Sequence, residues 1–201
     1  MHLFEEHKEG IEIDLPDASL EYYPAFLSDD KANSYFDVFL RQLDWQQHDI
    51  KLFGKRIAQP RLTALYAINS KEYKYSNLSL KPQLFTRELE EINKSLFERF
   101  HLKFTHCLAN LYRNEKDSMG WHADNEKELG PEPIIASLSL GAVRKFQLKH
   151  SFKKGLKHQL ELEHGSLLLM KGTTQDYWKH QLPKTARPHS PRINLTFRNI
   201  L

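Results

Sequence analysis

The stretch Arg192-Ile193-Asn194-Leu195-Thr196-Phe197-Arg198, close to the end of the sequence, alternates polar and apolar side chains. A period of two is typical of a β-strand, because successive side chains point to opposite faces of a sheet. The apolar side chains form an ordinary core face. The polar ones place two guanidiniums, an amide and a hydroxyl in one row along the other face.

This polar row has two interpretations. If it lies inside a barrel, two unpaired Arg charges would be prohibitively costly, so a counter-charge has to accompany them. A small dianion with a carboxylate at each end meets this need, since guanidinium groups bind carboxylates in bidentate geometry. Asn110 and Tyr112, which share one face of an earlier strand, would add two neutral hydrogen bonds. The alternative is a basic edge strand that faces solvent.

Short strand-like runs follow one another from residue 104 onward. They are separated by single glycines, a pattern that indicates an antiparallel sandwich or barrel of the jelly-roll kind. Two amphipathic helices precede them and are expected to pack on one outer sheet, which makes the fold class α+β. One predicted helix follows the cap Ser28 and ends near Leu43, and the other runs from about Thr86 to Arg99. The predicted strands are Phe104–Tyr112, Ile134–Leu140, Val143–Lys149, Gln159–Glu163, Ser166–Lys171 and Arg192–Ile200.

Composition and charge narrow the class of protein. The 201 residues are 40% apolar and 27% charged, which excludes a disordered chain, a collagen-like fibre and a coiled-coil rod. Residues 1–50 carry 12 acidic and 3 basic side chains, whereas residues 51–201 carry 14 acidic and 26 basic ones. This polarity favours a polyanionic partner for the second part, although two solvated faces of opposite sign explain it equally well.

No segment has the pattern of a secretion signal or of a membrane span. The first ten residues are charged, and no window approaches the ~18 consecutive apolar residues that a membrane helix requires. The single cysteine, Cys107, cannot form an internal disulfide, which favours a reducing compartment. We expect a soluble, intracellular monomer with no membrane partner, cytoplasmic, or nuclear if the source is eukaryotic.

The sequence contains one candidate metal site, His122-Ala123-Asp124 together with His180. The first His and the Asp are two residues apart and point to the same side of an extended segment. Two imidazoles and one carboxylate on one face of an octahedron form the facial triad of non-haem Fe(II) oxygenases. A surface histidine beside a solvated aspartate and a hydrolytic zinc site are the alternatives. A triad combined with a dicarboxylate cradle predicts 2-oxoglutarate bound to Fe(II).

An ordered series of motifs runs through the chain: Asn110-Leu111-Tyr112, His122-Ala123-Asp124, residues 135–141, residues 164–168, His180 and residues 192–198. In this order they resemble the motifs of the AlkB-like Fe(II)/2-oxoglutarate dioxygenases, which repair alkylated nucleic acid, and most of all the homologues that act on double-stranded DNA. The resemblance extends from about Leu52 to Leu201, three quarters of the chain. It implies a double-stranded β-helix (jelly roll) with an N-terminal nucleotide-recognition lid. Together with the predicted helices, the expected fold is a jelly roll with N-terminal helices and a nucleotide-recognition lid.

The resemblance also assigns roles to the residues of the predicted site. It implies that His122, Asp124 and His180 hold Fe(II), with further positions for the cosubstrate and O2. Arg192 would pair with the distal carboxylate of 2-oxoglutarate, and Arg198 with the carboxylate nearer the metal. The residues that would complete this pocket are Asn110, Tyr112, Asn194 and Thr196.

The function implied by the resemblance is oxidative demethylation of alkylated bases in DNA, which releases formaldehyde, succinate and CO2. The favoured lesions would be 1-methyladenine and 3-methylcytosine, which are cationic and cannot pair normally, so that flipping them out of a duplex costs less. The expected partner is alkylated DNA, single- or double-stranded, and RNA is a further candidate. The alternatives are a 2-oxoglutarate oxygenase acting on RNA, a protein or a small molecule, and a non-catalytic damage-binding module.

Because the sequence has no internal repeat, low-complexity tract or Gly/Ser linker, we expect one domain. Its expected parts are an acidic N-terminal helical part (1–50), a lid with its supporting helix (51–103) and a jelly-roll core (104–201). The resemblance assigns roles to residues of the lid. Phe53 is the expected wedge that fills the gap left by a flipped base, with a core aromatic as the alternative. Asn125 stands where many family members carry an Asp that attracts a cationic base, whereas Glu126 matches. The predicted substrate-binding residues are Phe53, Gly54, Lys55, Arg61, Tyr73, Tyr75, Ser76, His122, Asn125 and Glu126.

Basic residues are expected to contact the nucleic-acid backbone at two places. Lys55 and Arg61 belong to the lid, and a second group occupies a stretch with no acidic residue. A merely solvated basic hairpin is the alternative for the second group. This predicted ridge comprises Arg144, Lys145, Lys149, Lys153, Lys154 and Lys157.

Overall fold

The computed structural model describes residues 10–52, 55–68, 73–75 and 78–201. Strands are numbered along the chain. The larger sheet has the spatial order β1 (Ile11–Ile13), β2 (Ser19–Tyr23), β14 (Leu167–Lys171), β11 (Ile135–Gly141), β16 (Arg192–Arg198), β9 (His106–Tyr112), β5 (Leu62–Ala67) and β8 (Gln83–Leu84). The smaller sheet has the order β10 (Met119–His122), β15 (Trp178–Leu182), β12 (Arg144–His150) and β13 (Lys157–Leu162). Two separate hairpins are formed by β3 (Asp49–Leu52) with β4 (Lys55–Ala58) and by β6 (Tyr73–Tyr75) with β7 (Leu78–Leu80).

Two helices begin where the sequence predicts, because a hydroxyl group caps each N-terminus. Helix α1 (Asp29–Gln42) follows Ser28, whose side chain accepts a hydrogen bond from the Lys31 N–H. Helix α2 (Arg87–Phe100) follows Thr86, whose side chain accepts from the Leu89 N–H. Acidic residues in both first turns stabilise the positive end of the helix dipole. Helix α3 (Thr174–Tyr177) is a single turn, and no helix in the described part of the chain is long and apolar enough to cross a membrane.

One face of the larger sheet is covered by α1 and α2. The two helices place their apolar stripes against the central strands, so the predicted core face of β16 is confirmed. Each large apolar side chain that is fully buried in this layer contributes roughly 1.5–3 kcal/mol to stability. The buried side chains of this layer include Ala32, Tyr35 and Phe39 of α1, Leu89, Ile92 and Leu96 of α2, and Ile193, Leu195 and Phe197 of β16.

The opposite face of the larger sheet packs against the smaller sheet. Side chains from both sheets form a second apolar cluster, in which Leu108 and Met170 of the larger sheet belong together with Phe146 and Leu148 of the smaller one. The two sheets thus enclose an interior, and the polar row of β16 points into it. The predicted jelly roll with helices on one outer face is confirmed.

The N-terminal part departs from the prediction. Residues 1–50 were expected to be helical, but β1 and β2 lie there, and β2 pairs with β14 in the larger sheet, with Tyr22 opposite Leu168. Leu20 and Tyr22 point into the second cluster, a period of two that the surrounding charged residues obscured. Strand β5 was also unpredicted and pairs with β9. The larger sheet therefore contains strands from all three predicted segments of the chain.

Candidate metal centre and cosubstrate pocket

The three predicted metal ligands lie together at the β10 edge of the smaller sheet. His122 is the last residue of β10 and pairs with His180 of β15, and Asp124 follows in the next loop. The ligand atoms of the three side chains all lie within 4.8 Å of one another. Asp124 and His180 are buried, while His122 is half-buried. Folding thus brings together two ligands that are 58 residues apart in sequence.

Hydrogen bonds position the His122 ring and the backbone of Asp124. The Nδ1 atom of His122 lies 2.9 Å from the Gly120 carbonyl oxygen. A carbonyl can only accept, so Nδ1 carries the proton and Nε2, which lies 3.9 Å from Oδ1 of Asp124, keeps its lone pair for a metal. The backbone N–H of Asp124 donates to Oε1 of the buried Gln175 at 2.9 Å. Such outer contacts orient the ligands before a metal binds.

The protonation states also suit a metal. Burial, with a further contribution from the His122 ring, lowers the pKa of His180 to about 3, so its imidazole is neutral at physiological pH. Burial likewise lowers the pKa of His122. For Asp124, burial raises the pKa, but the charges around the carboxyl, that of Arg198 first, outweigh this effect and hold the pKa below its usual value. Neutral imidazoles and an ionised carboxylate are the forms that coordinate a divalent cation.

Arg192 lies at the other end of the pocket and is 2% exposed. Its Nη2 donates to the Ser139 hydroxyl at 2.9 Å, and its guanidinium lies 5.5 Å from the centre of the Tyr112 ring. Its Nε is buried and has no hydrogen-bond partner among the described residues. Burial lowers the pKa of Arg192 to about 10, which still leaves it charged. A buried cation with an open donor calls for an anionic ligand.

Arg198 lies beside a metal ligand, Asp124, and beside Glu126, which the resemblance places at the substrate. Its Nη2 lies 3.5 Å from Oδ2 of Asp124, and its Nη1 lies 3.9 Å from Oε2 of Glu126. The row of polar side chains therefore begins at one cation and ends at the metal ligands. Between the two guanidiniums, Asn194 donates to the Ser137 hydroxyl at 2.8 Å and accepts from Thr196 at 3.0 Å.

The donor set fits Fe(II) with a dicarboxylate cosubstrate. Two imidazoles and one carboxylate leave coordination positions open, as in non-haem iron oxygenases. A hydrolytic zinc site built from the same ligands has no need for two buried guanidiniums beside it. The side chains that line this single pocket include all nine residues predicted for the metal and the cosubstrate: Asn110, Tyr112, His122, Asp124, His180, Arg192, Asn194, Thr196 and Arg198.

Comparison with known proteins agrees with this geometry. A family model described as the 2OG-Fe(II) oxygenase superfamily matches residues 19–198. The chain is 35% identical to DNA oxidative demethylase ALKBH2 of Arabidopsis thaliana, in an alignment that covers 94% of this chain and 69% of that protein. The chain belongs to the AlkB-like 2-oxoglutarate/Fe(II) oxygenases. It is also 36% identical to human alpha-ketoglutarate-dependent dioxygenase alkB homolog 3, over 89% of this chain and 65% of that one.

The AlkB-like chain spans slightly less than two thirds of the alkB homolog 3 proteins that it matches, 64% of the Bos taurus protein and 65% of the human one. Among solved structures, it matches the structure of OsALKBH1 with a TM-score of 0.64 and 15% identity, over 94% of this chain and 99% of that one. A 2OG-Fe(II) oxygenase family protein from Burkholderia pseudomallei matches with a TM-score of 0.58 and 10% identity, over 89% and 84%. These two structural matches confirm the fold.

Two cations of this AlkB-like oxygenase lie elsewhere than predicted. Arg144 was expected on a nucleic-acid ridge, but it is 3% exposed, and its Nη2 donates to the carbonyl oxygens of Asp117 and Pro183. The prediction is wrong because a residue that begins β12 with its side chain toward the interior cannot reach a phosphate outside. Arg61, expected on the DNA backbone, is 4% exposed, and its Nε donates to Oδ1 of Asn110 at 2.8 Å.

The remaining ridge lysines lie at or near the surface. Lys145, Lys154 and Lys157 are exposed, Lys149 lies over the Trp121 ring at 4.4 Å, and Lys153 pairs with Asp17 at 2.6 Å. A ridge built from these lysines stays a prediction.

Several lid predictions cannot be placed. Phe53, Gly54 and Ser76 lie outside the described residues, as do the side chains of Lys55, Tyr73 and Tyr75. The strands on either side of Phe53 and Gly54 are described, and Leu52 pairs with Lys55, as expected for the hairpin implied by the resemblance. The wedge and base-stacking roles of these residues stay predictions.

Some contributors to the site were not predicted. Gln175, which orients Asp124, lies in a single helical turn that has no sequence signature. Ser137 and Ser139 had a signal, because they alternate with apolar residues along β11 and so face the same interior as β16. Phe146, whose ring stacks on His180 with 5.2 Å between centroids, alternates in the same way along β12.

Proposed function

We propose that this protein is an Fe(II)- and 2-oxoglutarate-dependent demethylase that removes methyl groups from 1-methyladenine and 3-methylcytosine in DNA. The products would be formaldehyde, succinate and CO2. The observation that carries this proposal is the metal triad at one end of a buried row of polar side chains that has a cation at each end. The DNA substrate is supported by the similarity to proteins named DNA oxidative demethylase ALKBH2.

The chain's own residues bind and orient the reactants. His122, Asp124 and His180 would hold the iron, which when bound supplies the oxidising chemistry that couples decarboxylation of 2-oxoglutarate to hydroxylation of a methyl group. Arg192 would bind the distal carboxylate of the cosubstrate with its open Nε donor. Phe146 and other apolar lining residues keep water away from the reacting atoms. A hydroxymethyl group on a ring nitrogen then loses formaldehyde without further assistance.

The basic character of residues 51–201 supports a polyanionic substrate. Exposed lysines occur in the β12–β13 hairpin, with Lys154 in its turn and Lys157 at the start of β13. Strand β12 of this hairpin pairs with β15, the strand that contains His180. Phosphate contacts of this kind contribute affinity without reading sequence. Asn125 provides a neutral amide beside the site, so the attraction for a cationic base rests on Glu126.

Product analysis tests this proposal. The protein is incubated with Fe(II), ascorbate and 2-oxoglutarate together with oligonucleotides that carry one methylated base, as single-stranded DNA, duplex DNA or RNA. Formaldehyde release and loss of the methyl group, both absent with the unmethylated oligonucleotide, are expected for DNA. Succinate release with no formaldehyde from any methylated nucleic acid would show that the substrate belongs to another class of molecule. Turnover of the RNA oligonucleotide alone would show that the substrate is RNA and not DNA.

A further inference from the structure

We propose that Arg61 is a positioning residue for the cosubstrate, which it serves by fixing the amide of Asn110. This inference rests on the proposed use of 2-oxoglutarate. It replaces the sequence-based expectation of a phosphate contact, which would act on the nucleic-acid substrate instead.

The contact between the two residues is buried and direct. Arg61 is 4% exposed and Asn110 is 6% exposed, and the Arg61 Nε donates to the Asn110 Oδ1 at 2.8 Å. Arg61 immediately precedes β5, and Asn110 lies on β9 opposite Thr63 of that strand. A guanidinium enclosed in this way has no free path to a phosphate on the outer surface.

Donor chemistry then sets the orientation of the amide. An arginine carries only N–H donors, so the asparagine must turn its carbonyl oxygen toward Arg61. Its Nδ2 group, with two N–H donors, is thereby directed to the pocket that Asn110 lines. Without this partner, a rotation of the amide by about 180° would present an acceptor instead, which repels a carboxylate or keto oxygen. Arg61 thus keeps a donor facing the cosubstrate.

The position of Arg61 is itself held by the backbone. Its N–H donates to the Gln59 carbonyl oxygen at 2.8 Å, and the carbonyl of the preceding Pro60 accepts from the Ser118 N–H at 2.8 Å. Gln59 is 2% exposed. On the other side, Asn110 lies opposite Asn194, the central amide of the polar row on β16. Arg61 therefore belongs to the rigid wall behind the pocket.

The test measures cosubstrate binding without turnover and without nucleic acid. Mn(II) replaces iron, and calorimetric titration with 2-oxoglutarate gives the dissociation constant for the wild type and for Arg61→Met, Arg61→Lys, Asn110→Ala and the double variant Arg61→Met/Asn110→Ala. We expect binding about tenfold weaker for Arg61→Met, because a charge-assisted hydrogen bond is lost and the amide is released. For Arg61→Lys, which retains a donor, we expect a dissociation constant between those of the wild type and Arg61→Met. This variant remains informative if Arg61→Met does not fold.

The double variant separates positioning from an independent effect. If Arg61 acts through Asn110, the change Arg61→Met weakens binding by less than about twofold once Asn110 is already alanine. Full additivity of the two changes would overturn the inference. So would 2-oxoglutarate binding that is unchanged in Arg61→Met while affinity for a labelled oligonucleotide falls, since that result restores the phosphate contact.

Two controls complete the design. Arg87 lies on α2, and its side chain is 85% exposed. Arg87→Met removes this exposed cation and is expected to leave 2-oxoglutarate binding unchanged. Mn(II) affinity, followed by electron paramagnetic resonance, should be the same in all variants, because none of them removes a metal ligand. If the wild type itself binds Mn(II) but no 2-oxoglutarate, the proposed function fails, and this outcome is distinct from a failure of the role of Arg61.

Discussion

The two faces of β16 are both buried, but one carries apolar side chains and the other carries charged and polar ones. On one face Ile193, Leu195 and Phe197 are 0% exposed and belong to the apolar layer beneath the helices. On the other face Arg192 and Arg198 are equally buried, at 2% exposure, but they carry charge into the interior. The first face stabilises the fold by excluding water, and any side chains of suitable shape would serve. The second face costs stability and is complete only with a ligand, which marks it as the functional one.

The largest expected effect is on the metal. Asp124→Ala removes the only carboxylate ligand, and two imidazoles alone hold Fe(II) poorly in an open site. We expect loss of demethylase turnover and Mn(II) binding weakened by more than about 100-fold. Asp37→Ala on the exposed side of α1 is the matched control and should change neither. Retained turnover in Asp124→Ala would remove this residue from the ligand set.

Next in size is the polar face itself. Arg192→Met is expected to weaken 2-oxoglutarate binding by about 100-fold, because a bidentate charged contact to the distal carboxylate is lost. Stability in urea should stay the same or rise, since the change removes a buried cation that lacks a full set of partners. A large loss of stability with normal cosubstrate binding would show that the polar face, like the apolar one, serves the stability of the fold and not ligand binding.

The apolar face should behave in the opposite way. Phe197→Ala leaves a cavity between β16 and the rings of Phe85 and Phe104, whose centroids both lie 6.2 Å from that of Phe197. We expect the free energy of unfolding to fall by about 3–5 kcal/mol. At a temperature where this variant remains folded, 2-oxoglutarate affinity should match the wild type. A selective loss of cosubstrate affinity would contradict the separation of the two faces.

The smallest effect concerns the outer surface of the smaller sheet. Lys154→Ala should lower affinity for a labelled oligonucleotide by a few-fold and reduce the slope of log affinity against log salt by about one. Cosubstrate binding should not change, because this lysine is exposed at the hairpin and far from the polar row. Lys94→Ala on α2 serves as the control cation, and an equal loss in both variants would leave no special role for the hairpin.

The site was more predictable than the architecture around it. The spacing of His122 and Asp124 and the period of two in residues 192–198 are local patterns. The structure has both residues at one site and residues 192–198 in one strand, as these patterns predict. β1 and β2 escaped prediction because they are short and contain or adjoin charged residues, so they carry little periodic signal. β2 and β5 also pair with strands that are distant in sequence, β14 and β9. Arg61 escaped for a different reason, since a cation in a loop has no local feature that distinguishes a buried from an exposed position. Arg144 did have such a feature, because it alternates with Phe146 and Leu148 along β12 and so shares their buried face.

The functional groups of the site could be identified from residue types and spacing: a His-x-Asp pair with a later His, an alternating strand with two arginines, two capped helices and a basic second part. These features depend on residue type and spacing, which local geometry converts directly into faces and caps. Which charges are buried became clear only from the folded chain, because burial depends on strands that are far apart in sequence. The structure moved Arg144 from a presumed DNA contact to three loop carbonyls and Arg61 to the back of the cosubstrate pocket.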